Sequence, residues 1–164
     1  MSFKIKTILC AVDLSENSEL VLSAAITEAR VHDARIQLLH IIPSFDAAMA
    51  VPIVSFMGED RFLELIKEKK GEAVAAIRKR IDKLNKEMHE NDSRSGTEKI
   101  KDVHVYEGDA VIEILNMIGK LEADMLVMGS HGKGITEHTF VGSVARKVLK
   151  RVNIPVLLVP GSAR

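Results

Sequence analysis

Short, mostly apolar runs alternate along this chain with longer stretches in which apolar residues recur every three or four positions. The runs fall at 8–12, 36–42, 103–106, 125–128 and 156–159, each bounded by polar or turn-forming residues. A run without polar alternation marks a strand buried on both faces, as in a parallel sheet. Between the runs, Leu20, Val21, Ala24 and Ala25 make one helical stripe, and Phe62, Leu65, Ile66, Ala73, Ile77, Ile81, Leu84 and Met88 make a longer one. Val111, Ile114, Leu115 and Ile118 form a third, and Val144, Ala145, Val148 and Leu149 a fourth. This alternation predicts an α/β fold, an open doubly wound five-stranded parallel sheet with helices on both faces. Parallel neighbours need crossover connections, and those are overwhelmingly right-handed. Ser15, followed by Glu16, is the predicted N-cap of the first helix.

Two stretches break the alternation. Residues 91–99 are polar around Gly96 and read as a solvated loop. Residues 46–58 combine Ala, Met, Val, Pro and Phe where a connecting loop should be polar. They either cover a ligand or a partner or pack on the end of the sheet, and plain packing is the expectation.

At 164 residues the chain fits one domain, 1–164. Lysine plus arginine equals aspartate plus glutamate at 23 each, so no nucleic-acid partner and no membrane is expected, and an anionic ligand needs a local site. The single cysteine, Cys10, lies inside an apolar run and reads as a buried thiol in a reducing compartment. No apolar run approaches the roughly 20 residues that cross a bilayer, and the first residues do not read as a signal sequence. A soluble, cytoplasmic protein is the expectation.

After the fourth run comes Gly129-Ser130-His131-Gly132-Lys133-Gly134, and Gly142-Ser143 opens the last helical stripe. In an open α/β sheet, ligands sit outside the carboxyl ends of the strands where strand order reverses, and a loop leaving such a strand lies over that crevice. Glycines there let backbone N–H groups approach phosphate oxygens, and a helix start adds unpaired N–H groups and the positive end of its dipole. Gly142 and Ser143 fall in or just before the helix's first turn, Ser130 is a further hydroxyl donor, and Lys133 is a candidate charge partner. A P-loop would need Ser or Thr after Gly132-Lys133 and Gly in place of Val127, and a dinucleotide fingerprint would need glycines where Asp13-Leu14-Ser15 stands. Taken alone, the glycines also fit a tight turn with no ligand. Asp13 ends the first strand, where a carboxylate either accepts hydrogen bonds from ribose hydroxyls or a base amine, or caps the following turn.

The pattern of Gly129, Gly132, Gly142 and Ser143, with two and then nine intervening residues, resembles the ATP-binding signature of the universal stress protein family. Ile8-Leu9-Cys10-Ala11-Val12-Asp13-Leu14-Ser15 resembles that family's opening strand and its acidic end, and Asn153-Ile154-Pro155-Val156-Leu157-Leu158-Val159 its closing strand. The resemblance covers the whole chain and is weakest over 42–101. It implies an adenine nucleotide alpha hydrolase-like fold with strand order 3-2-1-4-5 and ATP as ligand, with Mg²⁺ or Mn²⁺ beside the phosphates on unassigned ligands. It implies nucleoside contact by Asp13 and an adenine slot at Ile41. Met128 is ambiguous between core packing and lining the site. The resemblance further implies a homodimer through the closing strand, Val156–Val159, whose edge carries no inward lysine or interior proline.

Enzymatic signatures are missing from the sequence. The six histidines, His32, His40, His89, His104, His131 and His138, make no recognised metal spacing, and no Gly-x-Ser-x-Gly elbow occurs. His131 and His138 read as solvent-facing loop residues. Neither a Ser-Gly-Gly-x-Asp-Ser pyrophosphatase loop nor a His-x-Gly-His motif is present. The leading expectation is an ATP-binding regulatory or stress-response module. The alternatives are a slow ATPase or autophosphorylating enzyme that modifies Ser130 or Ser143, and a pure interaction module.

Overall fold

The computed structural model describes residues 4–45, 47–91, 96–131 and 141–161. Along the chain run β1 (Thr7–Ala11), α1 (Ser18–His32), β2 (Arg35–Pro43), α2 (Ala47–Met57) and α3 (Glu59–Asn91). A 3-10 turn, Thr97–Lys99, leads into β3 (Ile100–Gly108), followed by α4 (Ala110–Lys120), β4 (Met125–Gly129), α5 (Ser143–Leu149) and β5 (Val156–Val159). The strands form one five-stranded sheet in the order β3-β2-β1-β4-β5, and every pairing is parallel. The chain builds outward from β1 to β3 and then returns to add β4 on the other side of β1. The switch point therefore lies between β1 and β4.

Alternate residues of the central strands feed two cores. Ile8, Cys10, Ile36 and Leu38 pack with Val21, Leu22, Ala25 and Ile26 of α1 and Ile77 and Leu84 of α3. Leu9, Leu39, Leu126 and Met128 pack with Val111, Ile114 and Met117 of α4 and Ala145 and Val148 of α5. Both faces of β1 are thus covered, which is why its sequence is an unbroken apolar run. Burial pushes the Cys10 thiol up to about 12, so it stays protonated and unreactive, as its setting in the sequence suggests.

Several local expectations are corrected. Ser15 is not the cap of α1: the helix begins at Ser18, behind an Asn17 that makes no side-chain capping bond. Ser15 instead donates its backbone N–H to Asp13 Oδ1 at 3.0 Å. The buried face of α1 is Val21, Leu22, Ala25, Ile26 and Ala29, while Leu20 points outward at 43% exposure. The sequence predicts packed loop for residues 46–58, yet 47–57 form α2, where helix-favouring Ala and Met outweigh the interior Pro52. Strand β3 extends beyond its apolar run on both sides. It lies at the sheet edge, where Asp102 and His104 bond Gln37 of β2 at 3.0 and 2.7 Å in place of apolar burial. Before β3, Gly96 takes φ +74°, and a Cβ there would lie 2.7 Å from Ile26 Cγ2.

Candidate functional site

The carboxyl end of β1 is fixed from both sides. Val12 donates its N–H to the Leu39 carbonyl at 2.9 Å. The buried His40 donates Nδ1–H to the Val12 carbonyl at 2.8 Å. The chain then leaves the sheet through Asp13 and Leu14, and Leu14 takes φ +60°. A left-handed conformation at a residue with a γ-branched side chain is costly and persists only where neighbours hold it. Here Arg80 of α3 donates to the Leu14 carbonyl at 2.9 Å, and the Leu14 side chain packs on the core.

This turn sets Asp13. Its Oδ1 accepts from the Ser15 N–H at 3.0 Å and from the Ser18 hydroxyl at 3.4 Å. Its Oδ2 is buried and has no hydrogen-bond partner among the described residues, and the buried Ser15 Oγ shares that condition. A carboxylate oxygen withdrawn from water without a donor is costly. Capping the turn accounts for one oxygen of this carboxylate and leaves the other without a donor among the described residues.

Across the switch point, the end of β4 forms the opposite wall. Ser130 donates its N–H to the Val159 carbonyl at 2.8 Å, and its own carbonyl accepts from the Gly142 N–H at 2.7 Å. That bond closes the loop and brings the start of α5 beside the end of β4. Gly142 occupies the N-cap position in an extended conformation and supplies no side-chain cap, so the first N–H groups of α5 lack one. Gly129 is closely surrounded: a Cβ would lie 3.2 Å from the His131 carbonyl oxygen. The Ser130 hydroxyl and His131 Nδ1 share a hydrogen bond at 2.8 Å.

A cavity of about 740 Å³ opens between these walls, and Asp13, Ile41, Met128, Gly129, Ser130, Gly142 and Ser143 all line it. Residues expected from sequence at separate points of the chain thus share one space. Gly132, Lys133 and His138 lie outside the described residues. Sequence reasoning missed a third wall, made by Lys69, Glu72, Ala73 and Ala76 of α3, together with His40 and with Ala110 and Ile114 of α4. The small residues Ala73 and Ala76 leave room where a larger side chain would fill the cavity, and that alanine spacing was the available signal. Lys69 also stands over the Phe45 ring at 4.6 Å. Among the described residues, no group of three or more His, Cys, Asp or Glu is placed to hold a metal ion. Among them, too, no helix is long and apolar enough to cross a membrane.

Residues 4–160 match the profile of the universal stress protein family. The chain belongs to that family. A universal stress protein of Thermus aquaticus is 29% identical over 154 residues, spanning 94% of this chain and 98% of its own. Among solved structures, the universal stress protein UspA from Lactobacillus plantarum superposes with a TM-score of 0.73 at 19% identity, over 96% of this chain and 99% of that one. A universal stress protein in complex with cAMP gives 0.60 at 17% identity, over 96% and 98%. The universal stress protein from Archaeoglobus fulgidus in complex with dAMP gives 0.51 at 22% identity, again over 96% and 98%. These likenesses confirm for this universal stress protein the expected fold and its strand order.

Proposed function

We propose that the cavity binds ATP and that the chain is a nucleotide-dependent regulatory or stress-response module. The observation that carries this reading is the buried Asp13 Oδ2 on the cavity wall, which has no partner among the described residues. A carboxylate in that state calls for hydroxyl or amine donors, which a ribose or an adenine supplies. The opposite wall offers what phosphates need, namely the close-approach glycine Gly129, the hydroxyls of Ser130 and Ser143, and the uncapped start of α5. The cavity volume falls within the roughly 300–1,000 Å³ typical of small-molecule sites. The cAMP and dAMP bound by two relatives of the same fold favour an adenine nucleotide.

Bound ATP would contribute a flexible anionic arm that links the two walls across the switch point. Asp13 would fix the nucleoside, Ile41 and Met128 would flank it, and Gly129, Ser130, Gly142 and Ser143 would orient the phosphates. Magnesium or manganese would be carried mainly by the phosphates and water, a mode that suits the lack of clustered carboxylates among the described residues. We also infer that two copies pair through β5, whose side chains are all half-buried and whose only sheet neighbour among the described residues is β4. The hydrogen bond between the Ser130 hydroxyl and His131 favours, as a second reading, slow self-phosphorylation at Ser130.

Releasing bound nucleotide from freshly purified protein by denaturation, and identifying it by chromatography, tests these readings. ATP is expected. ADP together with phosphorylated Ser130 would favour the second reading, and the absence of any nucleotide even after incubation with ATP would overturn both.

A further inference from the structure

Helix α2 is not absorbed by the nucleotide site. None of its residues lines the cavity, and its main packing partner is α3. Its described side chains include none that is fully buried, and residues 47–57 carry no charge. Phe56 is 93% exposed, Val51 63%, and Met49 and Leu63 56% each. With Met57 these side chains expose on the order of 600 Å² of apolar surface, at the upper limit of what a typical monomer leaves bare. An uncharged helix this short is marginal in water by itself, so its formation calls for cover on its outer face.

We propose that this face is an interface with a second copy of the chain, separate from the β5 edge. The area fits: roughly 600 Å² is most of the ~800 Å² that each partner contributes to a standard interface. The charges around it fit as well. Arg61 is held by Glu64 at 2.9 Å and by Glu68 at 3.4 Å within the same chain. Glu59 and Asp60 occupy the first turn of α3, where they complement its dipole. Residues 59–70 as a whole carry four acids and four bases, so the rim has no net charge to draw an acidic partner or anionic lipid headgroups. An uncharged apolar face is complementary to its own copy, and a two-fold axis would bring Phe56 and Val51 of one chain against the same helix of the other.

Sedimentation velocity of the parent and of Phe56→Glu and Val51→Glu, each at micromolar concentration, tests the proposal. Both positions are exposed, so circular dichroism should show an unchanged fold. The account expects the mass to fall by a factor of two in both variants. A bis-maleimide linker should capture covalent dimers of Phe56→Cys but none of Val31→Cys, which is 71% exposed at the far end of α1. The buried Cys10 stays out of this reaction. An unchanged mass in both glutamate variants would overturn the proposal. So would a parent that pellets with phosphatidylcholine vesicles, loses that property in Phe56→Glu and keeps its mass, because the occupant would then be a lipid surface.

Discussion

The two oxygens of Asp13 have different partners: Oδ1 holds the turn through Ser15 and Ser18, while Oδ2 is buried with no donor among the described residues. Charge-assisted hydrogen bonds contribute roughly 1.5–3 kcal/mol each, so Asp13→Ala should weaken ATP and adenosine alike by about 10- to 100-fold and leave inorganic triphosphate unaffected. Calorimetric titration of all three ligands reads this directly, and an unchanged adenosine affinity would return Asp13 to its turn alone. Cys10 gives a pH-dependent test. Its thiol titrates near 9.0 when free and near 12 in the fold. The stability of the protonated thiol is complete below pH 9 and is lost as pH rises toward 12, because the unfolded chain releases its proton first. Unfolding free energies from urea titration should fall between pH 9 and 11 by roughly 1 kcal/mol per pH unit more in the parent than in Cys10→Ala. Equal slopes would contradict the buried thiol. Asp13 was legible as a candidate because it follows an apolar run, but its divided bonding was not, since it depends on the left-handed turn at Leu14.

Elements were legible where one physical demand dominates. Strands β1, β4 and β5 are buried on both faces or packed against the cores, and their apolar runs locate them nearly to the residue. Strand β3 was legible only in its centre, because Lys101 and Asp102 before it are exposed and Asp102 answers to Gln37 through a hydrogen bond rather than to a core. Helix α2 was hidden for the opposite reason: with no polar face its residues show no helical period, and the stretch read as loop. The junction before β3 makes a sharper test. Gly96 combines positive φ with close approach to the fully buried Ile26. Gly96→Ala therefore meets both a strained backbone and a steric overlap, and should cost about 1–3 kcal/mol in urea unfolding. A cost under a few tenths of a kcal/mol would show that the junction is looser than described.

For the whole molecule, the βα alternation was enough to predict a parallel doubly wound sheet, and the family resemblance supplied the strand order that puts the switch between β1 and β4. The wall from α3 was not legible, because Lys69, Glu72, Ala73 and Ala76 form no recognised motif and read only as part of a long helix. Assembly follows from the edges. Successive N–H groups along β5 point to opposite sides, so Pro at Leu157 or at Leu158 removes an outward donor in one of the two variants. That variant should lose one interface by light scattering, and unchanged mass in both would place the pairing elsewhere. The central claim, that this cavity holds ATP with its phosphates at the start of α5, is tested most directly by calorimetric titration of ATP into nucleotide-free parent and Gly142→Val proteins. A branched side chain at the N-cap position would fill the approach to the first helical N–H groups. The account predicts one saturable site per chain in the parent and at least a tenfold loss in a Gly142→Val protein with an unchanged circular dichroism spectrum, a difference of about 1.4 kcal/mol or more. Equal ATP affinity in the two folded proteins would contradict it.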